Sequence, residues 1–231
     1  MNRMNVHYYI IHNGQEFRKT HMLEQLATGC IEEKDVTWIR HPNKDEIDRT
    51  LFESIVQPGI SFTCGVQVEA QNKIRMGQVS CTYKHYLALK DMIENNYDYA
   101  VIMEDNMRIL GNVPDRLSLF VSQLDAKYHD WDIVFDNGWH PTPVPYIESP
   151  LIEGQIVYPK SNEITNQCHG GTKCACFYFL NKNCAKKLFE KYLPFNNSPD
   201  WWMNDLFRKL NIKSFWAEPS NVGYWCHEST A

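Results

Sequence analysis

Residues Tyr99–Met103 form an apolar and aromatic run that stops at Glu104-Asp105-Asn106, and apolar character returns only at Met107. Two carboxylates and an amide at the end of a buried-looking segment suit a nucleoside diphosphate site. The diphosphate brings negative charge that must be met by a bridging divalent cation or by fixed donors. Hard cations such as magnesium or manganese take carboxylate oxygens, often just one or two of them from the protein. A solvated strand-to-loop turn is the plain alternative for the same triplet. A second apolar run, Trp131–Phe135, also ends in polar residues, Asp136-Asn137.

Cys168, Cys174, Cys176 and Cys184, with His169 among them, raise the question of zinc. The segment "CACFYFL" alternates as a strand does, which puts Cys174 and Cys176 on one face without a knuckle-like turn. Buried, inert thiols are the expectation, with a structural metal as the alternative. His140 and His169 show no further sign of a ligand role, and Gly170-Gly171 suit a close approach of backbone to a ligand.

The elements that must hold these residues alternate. "HYYIIH" (His7–His12) reads as a strand, "EFRKTHMLEQLATG" as a helix with Met22, Leu23 and Leu26 on one face, and "VTWIR" as the next strand. That is a βαβ-length unit and implies parallel strands. Pro42 to Met76 is polar and irregular, with short elements at most. Gln78 to Asn96 places Thr82, Tyr86, Leu89 and Ile93 at helical spacing and ends in an Asn-rich stop before the Tyr99 strand. Pro114 marks a helix start at Asn112 or Val113, with Leu117, Phe120, Val121 and Leu124 as the core face.

Beyond Trp131–Phe135, Gly138 to Lys160 reads as a long proline-bearing connection. It leads to a glycine-preceded strand, to the helix "NCAKKLFEKYL" with Asn183 as its cap, to the helix "SPDWWMNDLFRKL", and to the strand "IKSFWAEP". The alternation predicts an α/β fold: one domain over residues 1–231, with a mostly parallel central sheet flanked by helices. Ligands in such sheets sit at the carboxyl ends of the strands, where both acidic stops fall.

At 231 residues the chain can bury about two-thirds of the surface its unfolded form exposes. A formal charge of -5, a pI of about 6.0 and no cluster of Lys and Arg argue against a nucleic-acid groove or a polybasic membrane patch. No apolar run reaches the ~18 residues of a membrane span, and "MNRMNVHYYIIHNG" lacks the features of a signal peptide. Eight cysteines are too sparse for a disulfide scaffold, so a soluble, cytoplasmic protein is expected.

The segment "GQVSCTYKHYLALKDMIENNYDYAVIMEDNMRIL" resembles the "G-E-I-G-C-x-x-S-H … E-D-D" region of glycosyltransferase family 25, through Gly77, Cys81, His85, the intervening helix and Glu104-Asp105. That family includes bacterial lipooligosaccharide and procollagen galactosyltransferases. "YYIIHNGQEFRKTHMLEQLATGCIEEKDVTWI" is similar to the family's opening strand and helix, "GGTKCACFYFLNKNCAKKL" to its glycine-preceded strand, and "SPDWW" stands where the family has Pro-x-Asp. The likeness runs in order along the chain and is weakest from Pro42 to Ile74 and from Pro141 to Asn166.

The resemblance implies a GT-A fold and transfer of a hexose from a nucleotide sugar, UDP-linked, with inversion. The acceptor would be a glycan, glycolipid or glycoprotein, as in lipopolysaccharide biosynthesis. It places Glu104 at the donor ribose or metal shell, Asp105 and Asn106 at the diphosphate and its manganese or magnesium, and Gly77 and His85 around the donor pocket. Arg18 and Arg75 would offer positive charge to phosphate oxygens. Asp136 would contact donor or acceptor sugar, or simply cap its strand. His227 stands where many GT-A enzymes supply a last metal ligand, against a plain structural role.

Inversion needs a base opposite the leaving diphosphate, and Asp200 is the candidate. Ser198-Pro199-Asp200 also reads as an N-cap, a first-turn proline and an acid complementing the helix dipole, and both roles can coexist. Trp201 and Trp202 could stack on a sugar, one of them being core. Three positions depart from the family pattern: Asn106 for the last Asp, Lys84 for the Ser before His85, and Gln78 for Glu. An amide ligates a cation more weakly than a carboxylate. Asn106 therefore keeps open a weakened GT-A domain that binds nucleotide sugar without transfer, and a zinc-stabilised interaction module is a third reading.

Overall fold

The computed structural model describes residues 4–59, 74–136, 152–162 and 174–225. Its centre is made by strands that read as unbroken apolar runs. β1 (Val6–Ile11) and β3 (Tyr99–Glu104) are buried along most of their length, as strands are when helices cover both faces of a sheet. β1 lies parallel to β2 (Val36–Ile39) and to β3, with Ile11 opposite Ile39 on one side and Glu104 on the other. α1 (Glu16–Thr28) is the crossover of the expected βαβ unit.

Beyond β3 the sheet continues through β7 (Phe177–Asn181), β5 (Ile133–Phe135), β8 (Ser214–Ala217) and β6 (Val157–Pro159), in the order β2-β1-β3-β7-β5-β8-β6. β5 and β8 are parallel, whereas β7 runs against β3 and β5, and β6 against β8. The sheet is thus mostly parallel with two reversed strands. β6 falls inside the stretch expected to be a connection; it is short, ends in Pro159 and lies at the sheet edge, where a missing N–H is tolerated. A two-stranded ribbon, β4 (Met107–Ile109) against β9 (Val222–Tyr224), is a second feature that local sequence pattern does not announce.

Alternate strand residues feed two cores. Tyr9, Ile11 and Ile102 pack with α3 (Met76–Glu94), α5 (Lys182–Tyr192) and α6 (Pro199–Leu210) through Met92, Leu188 and Phe207. Tyr8, Ile10 and Val101 pack with α1 and α4 (Val113–Lys127) through Met22 and Phe120. The expected face of α4 is buried at Leu117, Phe120 and Leu124, while Val121 is only partly covered. α5 is capped by Asn181, not Asn183: the strand runs straight into the helix, and Asn181 Oδ1 accepts the Cys184 N–H at 2.9 Å. α2 (Arg49–Ile55) forms in the polar stretch after a single 3-10 turn at Lys44–Glu46. No helix among the described residues is long and apolar enough to cross a membrane.

With this topology the carboxyl ends of β1, β3, β5 and β8 share one edge. They deliver His12, Glu104-Asp105, Asp136 and Glu218.

Candidate functional site

The turn after β3 buries Asp105 against the end of β1. Its Oδ2 accepts the His12 Nδ1–H and the Asn13 backbone N–H, both at 2.9 Å, and its Oδ1 accepts Arg18 Nη1 at 2.6 Å. Burial pushes the carboxyl up, but the bonds from His12, Asn13 and Arg18, with the guanidinium charge, outweigh it and hold Asp105 below its ordinary value. Arg18 comes from the first turn of α1, and its Nε is buried without a hydrogen bond. Gly14, at φ +88, turns the chain between β1 and that helix in a conformation side chains rarely adopt.

Arg18 and Asp105 sit on the wall of a cleft of ≈ 420 Å³, together with Gly77, Cys81, Lys84 and Glu104. Lys84 is buried, and its Nζ donates to the His12 carbonyl and to Asn43 Oδ1, both at 2.7 Å. Burial lowers its ammonium pKa against the raising effects of Cys81, Asp105 and Glu46. Two bonds leave one of the three ammonium donors unspent. Gly77 lies in the first turn of α3, and a Cβ added there meets nothing within 4 Å, so any side chain would project into open cleft. Gln78 serves its own helix, because its Oε1 accepts the Arg75 backbone N–H at 3.0 Å and caps the start of α3.

His85 does not line the cleft and is fully buried; its Nδ1 bonds the Tyr178 hydroxyl at 2.8 Å and its Nε2 stands 3.7 Å from Glu104 Oε1. Cys81 Sγ lies 3.8 Å from the same oxygen. Asp200 opens α6, half-buried, and does not line the cleft either. Burial raises its pKa, and the nearby charge of Glu104 adds to this, against bonds from Ser198 and backbone. Ser198 makes no side-chain cap; its hydroxyl donates to Asp200 Oδ1 at 2.6 Å. Trp201 is 46% exposed, whereas Trp202 is core and its Nε1 donates to the Tyr192 carbonyl at 2.8 Å.

Other residues singled out in the sequence stand elsewhere. Asp136 is buried at the end of β5, where it accepts Arg116 Nε at 3.1 Å and the Asn221 N–H at 2.8 Å. Burial raises its pKa despite these partners. It does not line the cleft, and Arg116 is held in turn by the Pro219 carbonyl. Arg75 is exposed and likewise does not line it. Asn106 sits in the turn between β3 and β4; its carbonyl accepts the Trp225 N–H at 2.9 Å and its Oδ1 is buried without a partner. Cys176 and Cys184 are buried thiols and Cys174 a partly buried one, none of them in a disulfide. His140, Cys168, His169, Gly170, Gly171 and His227 lie outside the described residues.

Sequence reasoning passed over His12, Asn13, Asn43 and the structural use of Lys84. "HNG" after "YYII" carries the same signal as "EDN" after "YAVIM": polar residues ending a buried strand.

A hard divalent cation needs open oxygens. Asp105 Oδ2 already accepts two bonds, Oδ1 carries the Arg18 guanidinium at 2.6 Å, and Asn106, its Oδ1 buried, does not line the cleft. A manganese or magnesium ion at Asp105 would stand against a fixed positive charge. The described donor set does not fit one there.

No curated protein matches the chain by sequence. Among solved structures there is similarity to the crystal structure of A197 from STIV, with a TM-score of 0.46 and 12% identity, covering 95% of this chain and 83% of that one. The family described as "Glycosyltransferase family 25 (LPS biosynthesis protein)" matches residues 7–203. The match takes in the described cleft, from the end of β1 to the start of α6, and far more than half of the sequence. The chain belongs to glycosyltransferase family 25.

Proposed function

We propose that this chain transfers a hexose from a UDP-sugar to a hydroxyl of a glycan, glycolipid or glycoprotein acceptor, with inversion, on a GT-A-like scaffold. The observation that supports this best is the placing of Arg18 and Lys84 on one cleft, beside the open space at Gly77. Two fixed cations at a strand edge are suited to the charge of a diphosphate, and they act without a cation at Asp105. Asp105 then serves as the residue that aims Arg18.

In this reading Asp200 accepts the proton of the acceptor hydroxyl as that oxygen bonds the anomeric carbon. The bond from that carbon to the diphosphate oxygen breaks with its electron pair, and UDP leaves with its charge held by Arg18 and Lys84. The raised pKa of Asp200 suits a base, and exposed Trp201 beside it offers a stacking face for a sugar. The test is release of UDP from UDP-glucose, UDP-galactose and UDP-N-acetylhexosamines with candidate acceptors, in wild type and in Asp200→Asn. Release that depends on acceptor and on Asp200 supports transfer.

Asn106, an amide where the family has a carboxylate, favours a second reading, a domain that binds nucleotide sugar without transferring it. UDP-sugar binding with no UDP release across the panel would select that reading.

A further inference from the structure

Cys81 and His85 are four residues apart on α3 and so lie on one face, and Glu104 reaches them from the end of β3. Their ligand atoms, Sγ, a ring nitrogen and a carboxylate oxygen, all lie within 4.8 Å of one another. Glu104 Oε1 is 3.7 Å from His85 Nε2 and 3.8 Å from Cys81 Sγ. Around a tetrahedral zinc the corresponding edges are about 3.4 and 3.6 Å, given ordinary zinc–nitrogen, zinc–oxygen and zinc–sulfur bonds. On these two edges the groups stand a few tenths of an ångström wider than a filled site, and the Cys81–His85 edge lies within 4.8 Å.

His85 supplies an independent sign. The residue is fully buried, yet its Nε2, facing Glu104, makes no hydrogen bond. Its other nitrogen is held by the Tyr178 hydroxyl at 2.8 Å. A ligating histidine is arranged this way: one nitrogen is fixed by an outer partner, and the other is left with a lone pair for the metal. A buried nitrogen without a partner is costly unless an ion, a water or a ligand meets it.

We infer that Cys81, His85 and Glu104 form a three-ligand site for a zinc-type divalent cation beside the cleft, which Cys81 and Glu104 line. The thiolate and imidazole select zinc over manganese or magnesium, which prefer oxygen. Binding releases the Cys81 thiol proton to solvent. Cys81 and Glu104 both line the cleft, so the fourth position opens toward it, as in zinc sites that keep a place for water or a ligand oxygen. The site is separate from Asp105 and stands on its own geometry, independent of the transferase reading.

The full chain, stripped with chelator, is titrated with cobalt(II) as a spectroscopic probe and then with zinc. The expected result is a near-ultraviolet thiolate-to-cobalt band with the visible absorption of a tetrahedral centre, both lost on adding one equivalent of zinc. Cys81→Ser abolishes the near-ultraviolet band, and Glu104→Gln and Tyr178→Phe each weaken zinc binding by about tenfold or more. Cys184→Ser, which alters a buried thiol outside the site, leaves band and affinity unchanged. Circular dichroism identifies any variant that fails to fold, and the other two then decide. No thiolate band in wild type, or one that survives Cys81→Ser, overturns the site. UDP titrated in chelator reads the donor site separately, so failure of one does not imply failure of the other.

Discussion

Arg18 Nη1 lies 2.6 Å from Asp105 Oδ1 across 87 residues of sequence. This charge-assisted bond ties the first turn of α1 to the end of β3 and fixes the guanidinium at the cleft wall. Asp105 is nearly sealed, with 5% of its side chain exposed. Removing Arg18 therefore leaves a buried carboxylate with only His12 and Asn13 as partners. Arg18→Met is expected to cost about 3 kcal/mol, the lower end for breaking a buried pair. Urea unfolding measures it, and a loss below about 0.5 kcal/mol would class the contact with ordinary surface ion pairs.

The same network sets an acid response. The carboxyl of Asp105 is held below its unfolded value, so its contribution is complete above the unfolded pKa and is lost as pH falls through the folded one. Wild type should lose melting temperature below about pH 4, the ordinary aspartate range. Asp105→Asn lacks this contribution, so the gap between the two proteins should close on acidification. Asp136, raised by burial, works in the opposite direction but is common to both. Thermal melts of the pair from neutral to strongly acidic pH test this, and a gap constant with pH contradicts it.

Asp200→Asn keeps the shape at the start of α6 and removes the basicity. Turnover should fall by about 10²-fold or more while UDP-sugar affinity stays nearly constant. Because the carboxyl is raised, the acid limb of the wild-type rate should lie above the ordinary aspartate value, and the variant should lack it. Near-normal turnover in the variant would assign Asp200 to the helix terminus alone.

The two tryptophans of "SPDWW" should separate cleanly. Trp202→Ala opens the core and should cost about 3–5 kcal/mol, whereas Trp201→Ala, on an exposed ring, should stay within about 0.5 kcal/mol. If Trp201 stacks on a sugar, its loss should raise the KM for acceptor or donor with folding intact. Denaturant titration and steady-state kinetics on both proteins check the split.

Local signals made much of this fold legible. The β1–α1–β2 unit, α3 with β3, and α6 follow hydrophobic period and breaker residues, and "EDN" marks the end of a buried strand at the cleft. Direction and partnership were not legible. Nothing local in Phe177–Asn181 distinguishes a strand running against β3 from one running along it. Three-residue strands such as β4, β6 and β9 are too short for a period to show. Helical spacing placed Thr82 and Leu89 inside, but not Lys84, because a buried ammonium is offset by acceptors on two distant loops, His12 and Asn43. The spacing of Cys81 and His85 was visible, and its meaning appeared only when β3 brought Glu104 to them.

The central claim is that the cleft holds a nucleotide diphosphate through Arg18 and Lys84 beside the gap at Gly77. Its most direct test is calorimetric titration of UDP in chelator into wild type, Gly77→Leu and Lys84→Met. A Cβ at position 77 meets nothing within 4 Å and leucine favours the helix, so Gly77→Leu should fold normally while its longer side chain enters the cleft. Lys84→Met removes a charge and leaves two acceptors unmet, at about 1–3 kcal/mol of stability, and its melt confirms that it is folded at the assay temperature. Binding by wild type with a loss of about tenfold or more in each variant is the predicted result. Equal UDP affinity in all three folded proteins, or none in wild type, would contradict the account.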